Sequence, residues 1–432
     1  MNWISQITFL AVIAIAGYFL TKRISKIRQN ILAGKDTDRS DNKDQRLKTM
    51  LLVAFGQGKM FKKPLPAFLH LLIYVGFLVI NIEVLEFVMD GLAGTHRIFA
   101  PYLGGFYTVA LSFFEFLAVA VMFSCIVFLV RRNVVKVRRF TNPEMKGWPA
   151  LDANLILIIE IALMGAILKM NAADLVLQSR GVEGYTATGT FLFSGLIKPI
   201  FEGYETGFLI LIERGAWWFH IIGILGFAVY ITYSKHLHIF MAFPNTYYSN
   251  LWAKGKIKNM DEVTNEVKMM LGVATDSGAA PAEVSRFGAK DATDLTWKSL
   301  MESYTCTECG RCTAECPANQ TGKMLSPRKI MMDTRDRIEE IGKGGGQDKS
   351  LLGDYITKEE INACTSCNAC TEACPVNIDP LAIILEMRRY IAMEESGSPA
   401  SWNSMFSNIE TNFAPWKFAP SDRFNWKEDL NK

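Results

Sequence analysis

Eight of the nine cysteines lie after residue 300, in two runs of identical spacing. The first is Cys306-Thr-Glu-Cys309-Gly-Arg-Cys312-Thr-Ala-Glu-Cys316-Pro317; the second is Cys364-Thr-Ser-Cys367-Asn-Ala-Cys370-Thr-Glu-Ala-Cys374-Pro375. Both follow C-x2-C-x2-C-x3-C-P. A four-iron, four-sulfur cubane needs four thiolates; the x2 spacing wraps three of them around one cluster, and the fourth reaches the other cluster. The expected ligand sets are Cys306, Cys309, Cys312 and Cys374 for one [4Fe-4S] cluster, and Cys364, Cys367, Cys370 and Cys316 for the second. Structural zinc sites also take four thiolates but usually join two separated pairs. Disulfides are disfavoured in a reducing compartment, where the membrane topology puts these residues. The ninth cysteine, Cys125, lies in an apolar run and reads as a packing residue.

The five histidines are His70, His96, His220, His236 and His238, all in or beside the apolar first half. Burying an imidazole in a bilayer is expensive and usually functional, although any one of them could simply hydrogen-bond a neighbouring helix. A transmembrane b-type haem needs an opposed pair on neighbouring helices. His220 and His238 are 18 residues apart, so on one continuous helix they would share a face, with His236 rotated by roughly 160°. His70 lies level with His238. The expected inner haem pair is His70 with His238, with His236 as the alternative partner. An outer haem would pair His220 with His96, just beyond the second apolar run. Asn81, Glu83, Glu115 and Glu160 could bind quinone, relay protons or satisfy one another, and the sequence does not choose.

These residues are positioned by two different materials. Half of the 432 residues are hydrophobic and 21% are charged, which excludes a disordered chain. The net charge of +3 is too balanced for a nucleic-acid binder. Trp3–Leu20, Ala67–Met89, Gly105–Val130, Asn154–Met170 and Ala216–Met241 meet or approach the ~20 residues that cross a bilayer. Nothing basic precedes the first run and Lys22, Arg23, Lys26 and Arg28 follow it, so it reads as an uncleaved span rather than a signal peptide. Loop 21–66 carries twelve Lys/Arg and loop 131–153 six, while the opposite loops hold few. The basic side is the cytoplasmic one, and five spans put everything after Pro244 there too. The expectation is a multi-pass protein of the cytoplasmic (inner) membrane with its cysteines in the cytoplasm. Region 172–213, broken by Gly195, Pro199, Gly203 and Gly207, is expected outside as short interfacial helices.

Between the motifs, Ser326-Pro327 opens a helix that Gly342 closes. Thr357-Lys-Glu-Glu360 is a capping box, and Asp379-Pro380 starts a further helix. No alternating strand pattern surrounds either motif. The fold class is therefore all-α: a membrane bundle of about five spans, followed by a helical two-cluster ferredoxin domain. The expected divisions are 1–244 (membrane domain), 245–300 (helical linker, with an amphipathic stretch Met260–Leu271 and small residues Ser277–Ala282), 301–395 (ferredoxin domain) and 396–432. That last tail is studded with Trp402, Phe406, Phe413, Trp416, Phe418, Phe424 and Trp426, aromatics that either fold back or dock a partner.

Phe55-Gly-Gln-Gly-Lys, Pro66-Ala-Phe-Leu-His70, Gly76-Phe77 and Ser234-Lys-His236-Leu-His238, followed by the cysteine motifs, Gly322-Lys-Met-Leu-Ser-Pro327 and Phe413-Ala-Pro-Trp416, resemble the membrane-bound heterodisulfide reductase-related iron–sulfur oxidoreductases. Their membrane domain is similar to the nitrate reductase gamma subunit, a cytochrome b that holds two haems with two histidines on its second span; here only His70 lies there. Family members often continue into Cys-Cys-Gly domains, and this sequence has no Cys-Cys pair. The resemblance thus implies that a partner, a Cys-Cys-Gly-type subunit or a flavoprotein, supplies that chemistry.

These features together lead to an expected role as a membrane-bound electron-transfer subunit. It would connect a cytoplasmic redox partner with the quinone pool through two [4Fe-4S] clusters and one or two haems b. Rival readings are a haem-free membrane anchor for the cluster relay and a redox sensor, the latter disfavoured by the lack of any recognisable output domain.

Overall fold

Long apolar runs and capped amphipathic segments leave little room for sheet, and the computed structural model contains no strand among its described residues, which are 3–273, 286–417 and 419–430. The small-residue stretch Ser277–Ala282 and Phe418 lie outside them. Five helices are long and apolar enough to cross a membrane: α1 (Trp3–Leu32), α3 (Pro64–Ala93), α4 (Gly105–Asn133), α5 (Trp148–Ser179) and α7 (Thr206–Ile231). A short helix, α2 (Lys43–Met50), follows α1, and another, α6 (Leu192–Phe201), leans on α4 and α5. The spans close a ring, in which α3 packs on α4, α4 on α5, α5 on α7 and α7 on α1, which returns to α3. Small residues let the helices approach: a Cβ on Gly76 would stand 2.4 Å from Val121 and one on Gly223 2.6 Å from Leu163, as expected where van der Waals packing drives association in lipid.

Two boundaries differ from the sequence reading. The fifth apolar run hides a break: α7 ends at Ile231, and Ser234 caps a new turn by accepting from His236 N–H at 3.1 Å before α8 (His238–Tyr247) begins. His220 and His238 therefore do not share a continuous helix, and the 18-residue argument for their common face does not apply. At the other end, α5 continues to Ser179 and α7 starts at Thr206, so residues 172–179 and 206–213 belong to the long helices and only Leu192–Phe201 between them is a short one. Several polar side chains of those two stretches bond inside the bundle: Asp174 Oδ2 accepts from Arg97 and Gln178, and Glu213 accepts from Tyr185 OH.

Beyond the bundle, α9 (Asp261–Met270) is mostly exposed, and α10 (Trp297–Thr305), α11 (Pro327–Gly342) and α12 (Pro380–Met393) carry the cysteine loops. All three expected caps form: Ser326 accepts from Lys329 N–H, Thr357 and Glu360 make a reciprocal capping box, and Asp379 accepts from Leu381 and Ala382 N–H. One apolar core runs from the bundle end, through Ile27, Ile156, Phe227 and Leu237, into Leu300, Ile330, Ile384 and Met387. α1 extends past the bundle as a strut. Its Arg23 grips Glu339 with two bonds of 2.7 and 3.0 Å, and Asn30 donates to Tyr304 OH at 2.8 Å. Gly342 is required beside it, because a Cβ there would fall 2.2 Å from Asn30 Oδ1. The helix α13 (Ala400–Asn412) buries no residue, and Trp402, Phe413, Trp416, Phe424 and Trp426 stand exposed.

Candidate electron-transfer site

Each cysteine loop is built on the same unusual backbone. In the first, Glu308 and Gly310 have φ of 53° and 69°; in the second, the equivalent Ser366 and Asn368 have φ of 55° and 60°. Left-handed residues flanking the second cysteine turn successive N–H groups toward one side, the nest arrangement that favours an anionic guest. One pocket is lined by Cys306, Cys309, Cys312 and Cys374, and a second by Cys316, Cys364, Cys367 and Cys370. The fourth cysteine of each run thus crosses to the other loop, turned by Pro317 and Pro375. Among the described residues no three potential ligands converge on a single-ion site, whereas four thiols lining one pocket match the donor set of a cubane. Burial pushes the Cys306, Cys370 and Cys374 thiols up to about 12. Ligation there would displace protons rather than capture standing thiolates. Backbone N–H groups of Ser366 and Ile378 lie 3.3 Å from the sulfurs of Cys364 and Cys374, contacts of the kind that tune cluster potential.

The first cavity abuts the membrane bundle. Glu308, between Cys306 and Cys309, pairs with buried Lys235, and with Arg335 at 2.9 Å. Arg311, beside Cys312, donates to Met60 O at 3.3 Å, and Arg328 holds Arg139 O and Glu144 at 2.6 and 2.7 Å. The second loop is tied more lightly to the bundle side, by Lys62–Glu372 and by Lys59 to Thr371 O and Asn377. Its Cys367 is exposed.

Lys235 and Met60 flank the histidines. The His70 and His238 rings lie 6.4 Å apart between centroids, tilted by 40°. Two metal–nitrogen bonds of about 2 Å each, plus about 1 Å from each nitrogen to its ring centre, need roughly 6 Å. Both Nδ1 atoms are committed elsewhere, His70 to Gln57 Oε1 at 3.2 Å and His238 to Lys235 O at 3.1 Å. Such acceptors fix the tautomer that leaves Nε2 as ligand. Burial also holds the His238 and His236 imidazoles below their usual range, hence neutral. His236 stacks edge-on against His238 at 5.3 Å and on Phe227 at 5.6 Å. The residues present thus fit a bis-histidine haem between α3 and α8. Gln57, buried with φ of 51°, was not singled out from sequence, although its flanking Gly56 and Gly58 marked an irregular backbone.

The second expected pair is not assembled. His220 is buried in α7, with Nδ1 on Leu163 O at 3.1 Å and its ring against Phe87. His96 faces Asp174 at 3.7 Å and Glu213 at 3.6 Å, and packs on Tyr185. No ring contact joins it to His220 among the described residues. The loop 94–99 folds back into the bundle because Asp90 accepts from Arg97 and Ile98 N–H. That fold directs His96 onto carboxylates.

Comparison with known proteins agrees with this geometry. The family described as a 4Fe-4S dicluster domain matches residues 302–378. The chain is 27% identical over 464 residues to a probable iron–sulfur-binding oxidoreductase, FadF, of Bacillus subtilis (98% of this chain, 61% of that protein). It is 25% identical over 459 residues to the EtfAB:quinone oxidoreductase of Syntrophomonas wolfei (99% and 60%). Over 148 residues it is 26% identical to one of the subunits of the dihydromethanophenazine:CoB–CoM heterodisulfide reductase of Methanosarcina mazei (32% and 35%). The chain fits the heterodisulfide reductase-related iron–sulfur oxidoreductases. Its five long apolar helices and its 4Fe-4S dicluster region are what a membrane-anchored iron–sulfur protein of that kind would carry. The chain spans about three fifths of the length of the first two relatives. No solved structure matches it.

Proposed function

We propose that the chain carries electrons between a cytoplasmic redox partner, docked near exposed Cys367, and quinone in the bilayer. Its two [4Fe-4S] clusters would be held by the two cysteine sets and a haem b by His70 and His238. When bound, these groups take up and release single electrons. The chain's own residues place them in sequence: the exposed loop of Cys367, then the buried loop of Cys306–Cys312, then the histidine pair. The observation that carries this reading is the double attachment of the first loop. Glu308 holds Lys235, three residues before His238, and Arg311 holds Met60, three residues after the Gln57 that orients His70. Support for quinone comes from the EtfAB:quinone oxidoreductase, whose similarity covers nearly the whole chain. Support for a cytoplasmic cysteine module comes from the basic loops 21–66 and 131–153, which lie at its end of the bundle.

Redox-difference spectra of the purified full chain test the proposal. A b-type α-band that disappears in His70→Ala, while iron–sulfur signals persist, is the expected result. No such band in the wild-type protein would leave a haem-free anchor in its place.

A further inference from the structure

The end of the bundle remote from the cysteines holds an unusual density of buried charge. Glu83, Glu86, Asp90, Glu115, Asp174 and Glu213 are all at most 5% exposed. Opposing them are Arg97, itself buried, and Arg214. Six carboxyls outnumber two guanidiniums, and an unpaired charge away from water carries a heavy cost. This network is also connected. Arg214 reaches the surface with a quarter of its side chain and pairs with Glu213, which accepts from Tyr185 OH at 3.1 Å. His96 bridges Glu213 and Asp174, and Asp174 pairs with Arg97 at 2.5 Å. Arg97 donates to Tyr107 OH at 3.1 Å, and that hydroxyl donates to Glu86 at 2.6 Å. One helical turn further in, on the same face of α3, is Glu83.

Glu83 stands apart from the rest. It is 4% exposed, its Oε1 is buried without any hydrogen-bond partner, and the charged groups whose fields reach it are Arg97, Glu86 and Glu115. Every other carboxyl of the network is held by N–H or O–H donors. From the remote end of α3, Glu83 lies ~15 Å inward, close to the middle of a ~30 Å hydrocarbon layer. An unpartnered carboxyl at that depth, one helical turn beyond the last bonded group of a chain from the surface, has the placement of a proton donor rather than a structural group.

We infer that this network is a proton conduit ending at Glu83, which protonates a quinone bound in this half of the bundle; the substrate assignment rests on the quinone reading of the proposed function. Reduction of a quinone consumes two electrons, arriving from the cysteine side, and two protons. One proton passes from the Glu83 carboxyl to a quinone carbonyl oxygen. Glu83 is left as a carboxylate and is reprotonated from Glu86, which Tyr107 bonds; Arg97 stays charged and holds Tyr107 beside Asp174 and His96, through which protons enter from the surface. The second proton follows by the same route, giving the hydroquinone.

The test uses the full chain in lipid nanodiscs, reduced with dithionite and mixed with a short-chain naphthoquinone or benzoquinone. Glu83→Gln is expected to slow reoxidation of the iron–sulfur absorbance at least about tenfold while leaving dithionite reduction unchanged. It should also remove a carboxylic-acid C=O signal from reduced-minus-oxidised infrared spectra. Glu83→Asp should restore part of the rate. His96→Asn should slow reoxidation but keep the infrared signal. Wild-type rate and an unchanged infrared signal in Glu83→Gln would overturn the inference. If that variant fails to fold, wild-type rates in both Glu83→Asp and His96→Asn would overturn it. If the wild-type protein is not reoxidised by either quinone, the quinone reading falls. The conduit then stands or falls on whether Glu83→Gln or Glu83→Asp alters the infrared carboxyl signal.

Discussion

Around Cys309 the chain is crowded. Gly310 has no room for a side chain, since a Cβ would lie 2.4 Å from Arg328 Nη1, and Glu308 and Arg311 are both buried and bonded into the bundle. Around Cys367 the same backbone path is open: Asn368 takes the place of the glycine, Cys367 is exposed, and Arg388 clamps the loop only from within the module, through Ile361 O, Cys364 O and Ser366. Identical spacing gives the two loops the same backbone path, and the flanking residues decide which loop faces protein and which faces solvent. A relay needs such asymmetry, with one end able to exchange electrons and the other shielded from solvent.

The largest effect should come from removing a ligand on the shielded side. Cys374→Ser is expected to abolish the cluster of the Cys306 loop, retain that of the Cys367 loop and reduce quinone-dependent turnover to background; electron paramagnetic resonance and iron analysis would check this. Cys367→Ser should do the converse to the clusters. Equal loss of both clusters in both variants would erase the distinction between the loops.

Next in size is Lys235→Met, which leaves Glu308 buried with Arg335 alone. Breaking a buried pair costs about 3–5 kcal/mol, and the remaining arginine should reduce that to roughly 2 kcal/mol. Denaturant unfolding would measure it, and the absorbance of the His70–His238 site should change while the Cys367 loop does not.

A pH titration separates the two supports by sign. Burial opposes ionisation of Glu308, but Arg335 and Lys235 override it and hold the carboxyl below the usual carboxylate range. Its stabilisation is therefore complete above the ordinary carboxylate range and is lost as pH falls below about 4.5. Asp333 lies on the helix whose Lys329 also pairs with Glu360, in the helix leading into the second loop, and burial pushes it up to about 6 against the pull of Lys329. The folded chain keeps a proton there that the unfolded chain releases, so its contribution is full below about pH 4 and declines as pH rises through 6. Asp333→Asn should flatten the decline in melting temperature between about pH 4 and 6, and Glu308→Gln should leave the upper part of that window, above about pH 5, unchanged. The smallest effect is expected in the exposed tail, where Trp402→Ala should alter stability by no more than about 0.5 kcal/mol.

Much of this arrangement was legible in the residues. Cap chemistry at Ser326, Thr357 and Asp379 is local, and so is the length of an apolar run, so helices and spans followed from each. The cysteine spacing likewise carries its own geometry. What escaped depends on tertiary partners. The break after Ile231 lies inside an apolar run, and only Lys235, buried on Glu308 and Pro149 O, shows why the chain leaves the helix there. His96 was expected on iron because histidines are few. It faces Asp174 and Glu213 because Asp90 folds its loop inward, a contact with no sequence signal beyond the acid itself. Glu83 and Glu115 were noticed as polar residues in apolar helices, but Arg97, which organises them, sat in a loop and looked external.

The most direct test of the relay is an optical and electron paramagnetic resonance titration of the full chain beside its His70→Ala variant. The account predicts two [4Fe-4S] signals in both proteins and a b-type α-band in the wild type alone. An α-band of unchanged intensity in His70→Ala, or wild-type protein carrying both clusters and no such band, would contradict it.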